Sequence, residues 1–389
     1  MSGMRILIAL TYYRPHVSGL TIYAERLARG FARHGHHVTV LTSQFHPRLA
    51  GREERDGVEI VRVPVLCKVS KGVIMPAFPL YAAAQVARHD VVNIHMPQFE
   101  AALLALLGRL YRKRVVLSYQ CDLRMPPGGF NRLVQWSLRP LNHAAARLAH
   151  RVVTTTEDYA RHSSFLRRYA GKVTAILPIV EMPVPEPAVT QRVAARWGLN
   201  GRPTIGFAAR FAAEKGVEYL LDALPHVLAK VPDARIAFTG AYKDTLGEED
   251  YLAKLQPALR RYAEHLTFMD LLSNEEMASF YSLCDVLALT SLNSTEAFGL
   301  VQVEAMLTGT PVVATDLPGV REAVRRTGMG EVVPPHDSAA LAAALVRVIQ
   351  QRRHYVRSRA QVTEAFDPQL AIAAYETLFG EGGGRAETP

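Results

Sequence analysis

The chain has 389 residues, of which 49% are hydrophobic, and its mean hydropathy is +0.03. This balance predicts a soluble globular protein of two or three domains. No apolar run approaches the roughly 18 residues of a membrane-spanning helix, and the apolar segment at residues 4–10 is too short for a signal peptide. The three cysteines are unevenly spaced, which argues against a disulfide framework or a zinc site and favours a reduced, cytoplasmic protein.

The net charge of +9 is concentrated in the N-terminal half of the chain. Residues 1–190 hold 25 Lys and Arg against 12 Asp and Glu, whereas the remainder holds 20 against 24. Such an excess of cations indicates an anionic partner: nucleic acid, an anionic membrane surface or a phosphorylated lipid acceptor. No recognised nucleic-acid-binding motif supports the first of these. The simpler alternative is that much of the excess arginine is only solvated.

Strands and helices alternate from the beginning of the chain, with a strand at 5–10, a helix at 21–34 and a strand at 38–42. The chain lacks the Gly-x-Gly-x-x-Gly pattern after its first strand and has no Gly-x4-Gly-Lys-Ser/Thr pattern, which disfavours dinucleotide-dependent hydride transfer and P-loop hydrolysis. Instead, Ser18-Gly19 opens the helix. His34, His36 and His37 cluster after it; a metal site is one interpretation, and ordinary turn residues are the more frequent one.

Two further strands of the N-terminal half end in polar residues. A buried strand at 91–94 runs into His95, and a strand beginning at 115 is followed by Gln120, Asp122 and Arg124. Open α/β sheets bind ligands beyond the carboxyl ends of their strands, so these residues are candidates for a site.

Between these two strands, an amphipathic helix at 100–111 runs into Arg112-Lys-Arg114. Its leucines and basic end could dock on a membrane surface. The alternative, which we favour from sequence, is an ordinary core-facing helix whose basic C-terminus suits the helix dipole.

A proline-rich stretch separates the two halves of the chain. Four prolines fall within residues 178–187, which predicts a linker, placed at 181–200, between an N-terminal domain at 1–180 and a C-terminal domain at 201–365. After it, a strand at 204–209 runs into Arg210, and Lys215 precedes the next helix. A guanidinium and an ammonium so placed could bind a diphosphate. A salt bridge of Lys215 with nearby acids is the alternative.

Residues 285–320 carry the densest pattern, a buried strand, a polar loop, a helix at 298–307 and a second buried strand. On one uninterrupted helix, Glu296 and Glu304 would lie too far apart to share a small ligand. If the helix begins between them, both carboxylates can face an anion at its N-terminus. The amides at that position are those of Phe298, Gly299, Leu300 and Val301. A nucleotide sugar, with a phosphate centre flanked by hydroxyls, suits this layout. The simpler interpretation makes both glutamates ordinary helix charges.

The run from Glu296 through Glu304-Ala-Met, followed by Gly309-Thr-Pro-Val-Val-Ala-Thr-Asp-Leu-Pro-Gly319, closely resembles retaining glycosyltransferases of family 4. The resemblance covers nearly the whole chain and is densest at 204–335. It implies an α/β fold of the GT-B type, in which two Rossmann-like βαβ domains face each other across a cleft. A C-terminal helix, here 366–380, would cross back to the N-terminal domain.

The resemblance also implies a reaction, the retaining transfer of a hexose-type sugar from a UDP- or GDP-sugar to an acceptor hydroxyl. The catalytic residues would be Arg210, Lys215 and Glu296. The two cations would bind the diphosphate, and the carboxylate would bind hydroxyls of the donor sugar. Glu304 would bind the ribose. No Asp-x-Asp occurs near the donor loops, so no cofactor and no essential metal are expected.

Two positions depart from the family pattern. Gly19 is the only glycine of a usual Gly-Gly pair, and Gln120 stands where a histidine commonly contacts the donor sugar. Glutamine can still form hydrogen bonds with a hydroxyl but cannot titrate, so a general base at this position is excluded. The acceptor side would be lined by His95, Asp122 and Arg124.

The partners expected from this resemblance are a nucleotide-sugar donor and a hydroxyl acceptor, lipid-linked or a precursor of a polysaccharide or glycolipid. The basic N-terminal half favours peripheral contact with the inner face of the membrane over binding to nucleic acid. Two alternatives use the same pocket: an epimerase or phosphorylase of the same fold, and a non-catalytic nucleotide-sugar-binding protein.

Overall fold

The structure of the protein, a computed structural model, describes residues 3–69, 72–123, 129–242 and 248–381, apart from the side chains of residues 130, 131 and 133. The chain divides into two compact units. The first comprises Met1–Ile179 with Pro368–Pro389, and the second comprises Val180–Asp367. We call them the N-terminal unit and the C-terminal unit.

The N-terminal unit is organised around a single large sheet and a small separate hairpin. Its strands are β1 (Arg5–Ala9), β2 (His37–Gln44), β3 (Arg52–Arg55), β4 (Val58–Pro64), β5 (Cys67–Val69), β6 (Gly72–Ile74), β7 (Val91–Met96), β8 (Arg114–Tyr119), β9 (Arg151–Thr154) and β10 (Val173–Ala175). The sheet order is β10-β9-β8-β7-β1-β2-β4-β3, and β5 pairs with β6. Within the sheet, β3 is antiparallel to β4, and the other neighbouring strands are parallel.

Helices connect most of the consecutive parallel strands, since such strands need a crossover connection, whereas β3 lies between β2 and β4. They are α1 (Gly19–Arg33), α2 (Phe78–Arg88), α3 (Ala101–Leu110), α4 (Gly129–Leu148) and α5 (Glu157–His162). Helix α1 begins where Ser18 accepts a hydrogen bond from Thr21 N at 3.2 Å, a cap that stabilises a helix by about 1 kcal/mol. Its Leu27 and Phe31, four residues apart, are fully buried against the sheet.

The C-terminal unit repeats this construction with a six-stranded, wholly parallel sheet. Its strands are β11 (Thr204–Ala208), β12 (Arg235–Thr239), β13 (Leu266–Met269), β14 (Val286–Leu289), β15 (Val312–Thr315) and β16 (Gly330–Val333), in the order β13-β12-β11-β14-β15-β16. Its helices are α6 (Pro187–Trp197), α7 (Val217–Leu228), α8 (Glu249–Arg261), α9 (Asn274–Leu283), α10 (Leu300–Leu307), α11 (Arg321–Thr327), α12 (Ser338–Gln350), α13 (Arg352–Tyr355) and α14 (Arg359–Ala365).

The last helix, α15 (Pro368–Gly380), belongs to the N-terminal unit. It packs closely on α1, because a Cβ at Gly30 would lie only 2.4 Å from Ile372 Cδ1. The Tyr23 and Tyr375 hydroxyls are 2.8 Å apart in the buried interface between these helices.

The histidine cluster after α1 also contacts α15. His34 Nδ1 and His36 Nε2 each lie 2.9 Å from Glu376 Oε1, and His37 begins β2 with an exposed side chain. Across the part of the chain that the structure describes, no group of three His, Cys, Asp or Glu side chains could hold a metal ion. Nor, in those same residues, is any helix long and apolar enough to cross a bilayer.

The linker predicted at 181–200 is wrong for most of its length. Residues 178–186 have no regular structure, but Pro187–Trp197 forms helix α6 within the C-terminal unit. Val189 and Val193, four residues apart, are buried, and Thr190 Oγ1 lies 3.1 Å from Ser279 Oγ of α9. The run of prolines concealed this helix, because the last of them occupies its first position, where proline is well tolerated.

Candidate functional site

Two loops meet at the carboxyl edge of the C-terminal sheet. One follows β11 and the other follows β14, and these two strands are parallel neighbours, so their loops emerge side by side. Thr290 Oγ1 donates a hydrogen bond to the Lys215 carbonyl at 2.7 Å, and Leu292 N donates one to the Glu214 carbonyl at 2.9 Å. The loops that carry Lys215 and Glu296 are therefore held together by one backbone hydrogen bond and by one from the Thr290 hydroxyl.

Gly216 permits this contact. Its φ of +63° lies in the left-handed region, and a Cβ would lie 2.4 Å from the Thr290 carbonyl oxygen. A side chain here would be strained by its backbone conformation and would also push the two loops apart. The glycine therefore places the end of one loop against the start of the other.

Each cation predicted to bind a diphosphate is paired with a carboxylate. Lys215 Nζ lies 2.5 Å from Glu296 Oε2, and the Ser291 hydroxyl donates to the same oxygen at 3.3 Å. Arg210 Nη2 donates to Glu214 Oε1. The Lys215 and Glu296 side chains are about one-fifth exposed, at 21% and 17%, and Arg210 is 40% exposed. An arriving polyanion can thus compete with Glu214 and Glu296 for these two cations.

The helix after Glu296 begins later than the sequence predicted. It starts at Leu300, and Gly299 precedes it in a left-handed conformation with φ +78°. Phe298 and Gly299 therefore do not belong to its first turn, and among the predicted amides only those of Leu300 and Val301 do. Because the first amides of a helix have no partner within it, they remain suited to an anion.

A buried glutamine supports this helix start. Gln302 Nε2 donates to the Phe298 carbonyl at 2.7 Å and to the Val320 carbonyl at 2.9 Å. A Cβ at Gly299 would lie 2.5 Å from Leu289 Cδ2 and 2.9 Å from that amide nitrogen. The turn before α10 is thus packed from two sides. The sequence analysis did not identify Gln302, although it lies between the two glutamates.

Glu304 lies inside α10 and is only 6% exposed. The Tyr281 hydroxyl of α9 donates to Glu304 Oε2 at 3.0 Å. The structure therefore separates the two glutamates as expected, with Glu296 in the loop and Glu304 on the helix. Glu304 is more deeply buried than a solvated helix residue, which removes the simpler interpretation of this carboxylate.

Glu248 is a second residue that the sequence analysis missed. It is 4% exposed, and its Oε2 accepts a hydrogen bond from Ala213 N at 3.1 Å, in the single 3₁₀ turn (Ala213–Lys215) between Arg210 and α7. It lies 35 residues from that turn in the sequence, so no local pattern could have indicated it.

In the N-terminal unit, the predicted donor residues lie near the carboxyl ends of β1 and β8. Gly19 is the exposed first residue of α1, and no atom of the described residues lies within 4 Å of a Cβ built on it. Gln120 follows β8, and its side chain contacts Tyr23: burial and Tyr375 raise the pKa of the Tyr23 hydroxyl, whereas a hydrogen bond with Gln120 lowers it. Tyr23, in the interface between α1 and α15, thereby orients the side-chain amide of Gln120.

The three residues predicted to face an acceptor are in different situations. His95 is fully buried, its ring nitrogens have no hydrogen-bond partner among the described residues, and burial lowers its pKa to about 3. An acceptor could contact it only if neighbouring groups moved. Asp122 is half-buried, and its Oδ1 accepts hydrogen bonds from Tyr119 at 2.9 Å and Ser163 at 2.6 Å. Arg124 lies outside the described residues.

Comparison with known proteins assigns each unit. Residues 18–178 match the family model described as a glycosyl transferase 4-like domain, and residues 191–365 match that of the glycosyl transferases group 1. Among solved structures, sucrose-phosphate synthase from Thermosynechococcus elongatus is similar with a TM-score of 0.75 and 20% identity, covering 97% of this chain and 98% of that one. Anabaena HepE, solved with UDP and glucose, has a TM-score of 0.75 and 19% identity, with coverages of 97% and 100%. The fold is that of the GT-B glycosyltransferases, and the two matched domains are glycosyltransferase domains of the group 1 and 4-like types.

Curated relatives lie in the same class. A GDP-mannose-dependent alpha-(1-6)-phosphatidylinositol monomannoside mannosyltransferase from Mycolicibacterium smegmatis is 27% identical over 87% of this chain and 88% of its own length. A phosphatidyl-myo-inositol mannosyltransferase from Mycobacterium leprae is 33% identical, but this match spans 47% of this chain and about half of that protein.

Proposed function

We propose that the protein transfers a hexose from a nucleotide diphosphate sugar to an acceptor hydroxyl, with retention of configuration at the anomeric carbon. The observation that carries this proposal is that Arg210 and Lys215, which follow β11, and Glu296, in the loop that leads to α10, lie beyond two neighbouring parallel strands. Two cations and a helix N-terminus suit a diphosphate, and a carboxylate next to them suits sugar hydroxyls.

The diphosphate is proposed to replace the carboxylates that now bind the cations. When it binds, Arg210 leaves Glu214 and Lys215 leaves Glu296, so that both cations bind phosphate oxygens. Glu296 is then free to accept hydrogen bonds from hydroxyls of the donor sugar. Glu304, with Oε2 held by Tyr281, is proposed to bind the ribose. In the N-terminal unit, Gly19 and Gln120 are proposed donor-binding residues.

In the proposed reaction the bond between the anomeric carbon and the phosphate oxygen breaks, and the acceptor oxygen bonds to that carbon from the same face. Negative charge grows on the leaving diphosphate, where Arg210, Lys215 and the amides of Leu300 and Val301 stabilise it. The acceptor proton passes to a phosphate oxygen of the leaving group. No protein base is needed, so the glutamine at position 120 is compatible with turnover. The two cations provide the charge that a divalent metal would otherwise supply, and we propose that none is essential.

The acceptor is proposed to be lipid-linked or phosphorylated, and the protein to work in the cytoplasm at the inner face of the membrane. Two observations support this: the excess of cations in the N-terminal half and the named acceptors of the mycobacterial relatives. For the donor, we propose a GDP- or UDP-hexose. A thermal-shift screen of UDP-, GDP- and ADP-sugars tests this, since a bound ligand raises the melting temperature by mass action. The absence of a shift with any of them would contradict the proposal.

A second candidate function is that of a nucleotide-sugar-binding protein that does not catalyse transfer. The departures at Ser18 and Gln120 from the family pattern favour it. Such a protein would bind the donor but release no nucleotide with any acceptor. An epimerase would convert the donor without an acceptor, and a phosphorylase would need free phosphate. Incubating the donor alone, with phosphate and with acceptor lipids separates all three from transfer.

Replacing Gly19 with alanine is expected to leave the stability of the fold unchanged, because in the part of the chain that the structure describes no atom lies within 4 Å of the added Cβ. If a phosphate approaches this backbone, the methyl group should weaken donor binding by about 10-fold. Titration calorimetry with the nucleotide diphosphate measures the effect. Gly171→Ala, equally free of neighbours, is the control and should bind normally. Equal affinity of both variants would remove Gly19 from the donor site.

Replacing Gln120 with histidine is expected to add a pH dependence to the transfer rate, with an inflection near the ordinary imidazole pKa of about 6.5. The reason is that glutamine does not titrate at this position whereas histidine does. Transfer rates from pH 5.5 to 8 measure this pH dependence. The control is Gln351→His, on the surface of the other unit. An unchanged rate, pH profile and donor preference would mean that position 120 lies outside the sugar site.

A further inference from the structure

Helix α3 packs on the N-terminal sheet through a face of mostly small side chains. The buried residues of this face are Ala101, Leu104, Ala105 and Gly108. A Cβ at Gly108 would lie 2.4 Å from Val115 Cγ2, so the helix backbone approaches the sheet closely. Leu104 is the one large side chain that this face contributes to the core, and Leu106 and Leu110 lie outside it.

The outward side of α3 is apolar and exposed. Within the helix, Leu106 is 44% and Leu110 is 69% exposed, and the flanking Phe99 and Tyr111 are 38% and 45% exposed. Single exposed leucines are common on protein surfaces, but a row of four large apolar side chains along one short segment indicates contact with another apolar phase. The core-facing interpretation of this helix accounts for only one of its sides.

The helix ends in a basic concavity of about 630 Å³ at the amino edge of the sheet. The concavity is lined by the beginnings of β1, β7 and β8 and by the ends of α3 and α15. Its cations are Arg109, Arg112, Lys113 and Arg114. His150 does not add to this charge, because burial, then Arg109 and Arg114, lower its pKa. Its Nε2 lies 2.5 Å from Arg109 Nη1.

The carboxylates of this region are already bound to other cations. Asp90 pairs with Arg5 at 2.7 Å, and Glu381 pairs with Arg114 and Arg151, each at 3.0 Å. Within the described ranges, no carboxylate forms a salt bridge with the three remaining cations, which are Arg109, Arg112 and Lys113. Lys113 still acts on Asp90, because it helps to lower the pKa of that carboxyl, but three cations without a salt bridge around one concavity attract an anionic partner.

Arg112 occupies a backbone position that favours glycine. Its φ is +54°, in the left-handed region directly after the end of α3, where helices most often place glycine. An L side chain in this conformation lowers stability. An arginine at this position therefore costs stability in the free protein, which is consistent with a use for its side chain.

We propose that α3 docks the protein on an anionic bilayer. Leu106, Leu110 and Tyr111 enter the interfacial layer, and Arg109, Arg112 and Lys113 bind lipid phosphate groups. Apolar side chains beside cations fit a bilayer better than nucleic acid or a free phosphate, because neither of these gives the leucines an apolar environment. Each cation near an anionic surface contributes about fivefold to partitioning. This inference rests on the proposed lipid-linked acceptor, and it specifies the surface that meets the membrane.

Sedimentation with vesicles tests the docking. The full chain should bind vesicles of equal parts phosphatidylcholine and phosphatidylglycerol, bind phosphatidylcholine vesicles far more weakly, and dissociate as salt screens the charges. Two double variants should each lower the affinity for anionic vesicles by about 10-fold or more. One combines Leu106→Ser with Leu110→Ser, and the other combines Arg112→Gln with Lys113→Gln. The matched control, Leu271→Ser with Arg353→Gln, changes an exposed leucine and an exposed arginine of the C-terminal unit and should bind normally.

Arg112→Gly separates docking from stability. Glycine relieves the left-handed strain, so the melting temperature should rise by about 2 °C. Vesicle affinity should fall by about fivefold because one cation is lost. Opposite signs in the two measurements cannot arise from a damaged fold. A variant that is more stable and binds vesicles as tightly as the unmodified protein would contradict the proposal.

Two further results would overturn the docking. In one, both double variants bind anionic vesicles with unchanged affinity. In the other, the protein does not bind vesicles but binds inorganic phosphate or glycerol phosphate through Arg112 and Lys113. The concavity would then be a site for soluble phosphate. Nucleotide-diphosphate binding, measured on the same variants, should stay unchanged. A protein that binds vesicles but no nucleotide would refute the proposed function and leave the docking intact.

Discussion

Replacing Arg210 with alanine is expected to lower kcat/KM for sugar transfer by about 10²- to 10³-fold, because the guanidinium stabilises charge that grows on the leaving diphosphate. Its side chain is 40% exposed and its partner is Glu214, so the pair contributes at most about 1 kcal/mol to folding. The variant should therefore fold normally. Steady-state rates with the donor found by thermal shift, together with the melting temperature, measure both quantities.

A matched control for this variant is Arg347→Ala. Arg347 is also about half-exposed and pairs with a carboxylate, Glu331, at 2.5 Å, but it lies on α12 with no proposed contact to the donor. Its loss should leave the transfer rate within about twofold of the unmodified protein. Near-normal transfer by Arg210→Ala would refute the assignment of phosphate stabilisation to this residue.

Replacing Glu296 with glutamine is expected to separate nucleotide binding from sugar transfer. Transfer should fall by about 10²-fold, since the carboxylate contacts donor-sugar hydroxyls and a neutral amide binds them more weakly. Binding of the free nucleotide diphosphate should stay equal or become tighter. The reason is that Lys215 loses the carboxylate that competes with phosphate, now 2.5 Å from its Nζ. Calorimetry with GDP and UDP, compared with transfer rates, tests both parts.

The control for this variant is Glu331→Gln, which also removes one half-buried carboxylate from an ion pair in the C-terminal unit. It should change neither quantity. If Glu296→Gln loses nucleotide binding and transfer to the same extent, Glu296 holds the loop in place and does not contact the sugar. If it loses neither, the carboxylate has no part in the site.

Much of the fold was predictable from local pattern. Buried parallel strands give short apolar runs, and amphipathic helices give apolar residues at spacings of three and four, so most elements were placed correctly. The errors arose where local signals pointed the wrong way. Prolines concealed α6, whose buried Val189 and Val193 show that it packs as a helix. Helix α10 begins two residues later than predicted, after Gly299, because the left-handed φ of this glycine cannot be inferred from a hydrophobic pattern.

The candidate site was predictable as a set of residue types but not as a set of contacts. Arg210 and Lys215 were identified because a cation at a strand end and another at a helix start are a local pattern. The pairing of Lys215 with Glu296 joins residues 81 positions apart, and it depends on β11 lying next to β14. The hydrogen bond from Tyr281 to Glu304 likewise joins two helices.

By itself, the sequence determined the alternation of strands and helices, the two acidic residues on either side of a helix start and the basic character of the N-terminal half. These are properties of neighbouring residues and of their number. Only the tertiary structure decided which carboxylate binds which cation, that His95 is buried, and that α3 has an exposed apolar side next to a cluster of cations. The physical reason is that charge pairing and burial depend on distances through space, which strand order sets and local spacing does not contain.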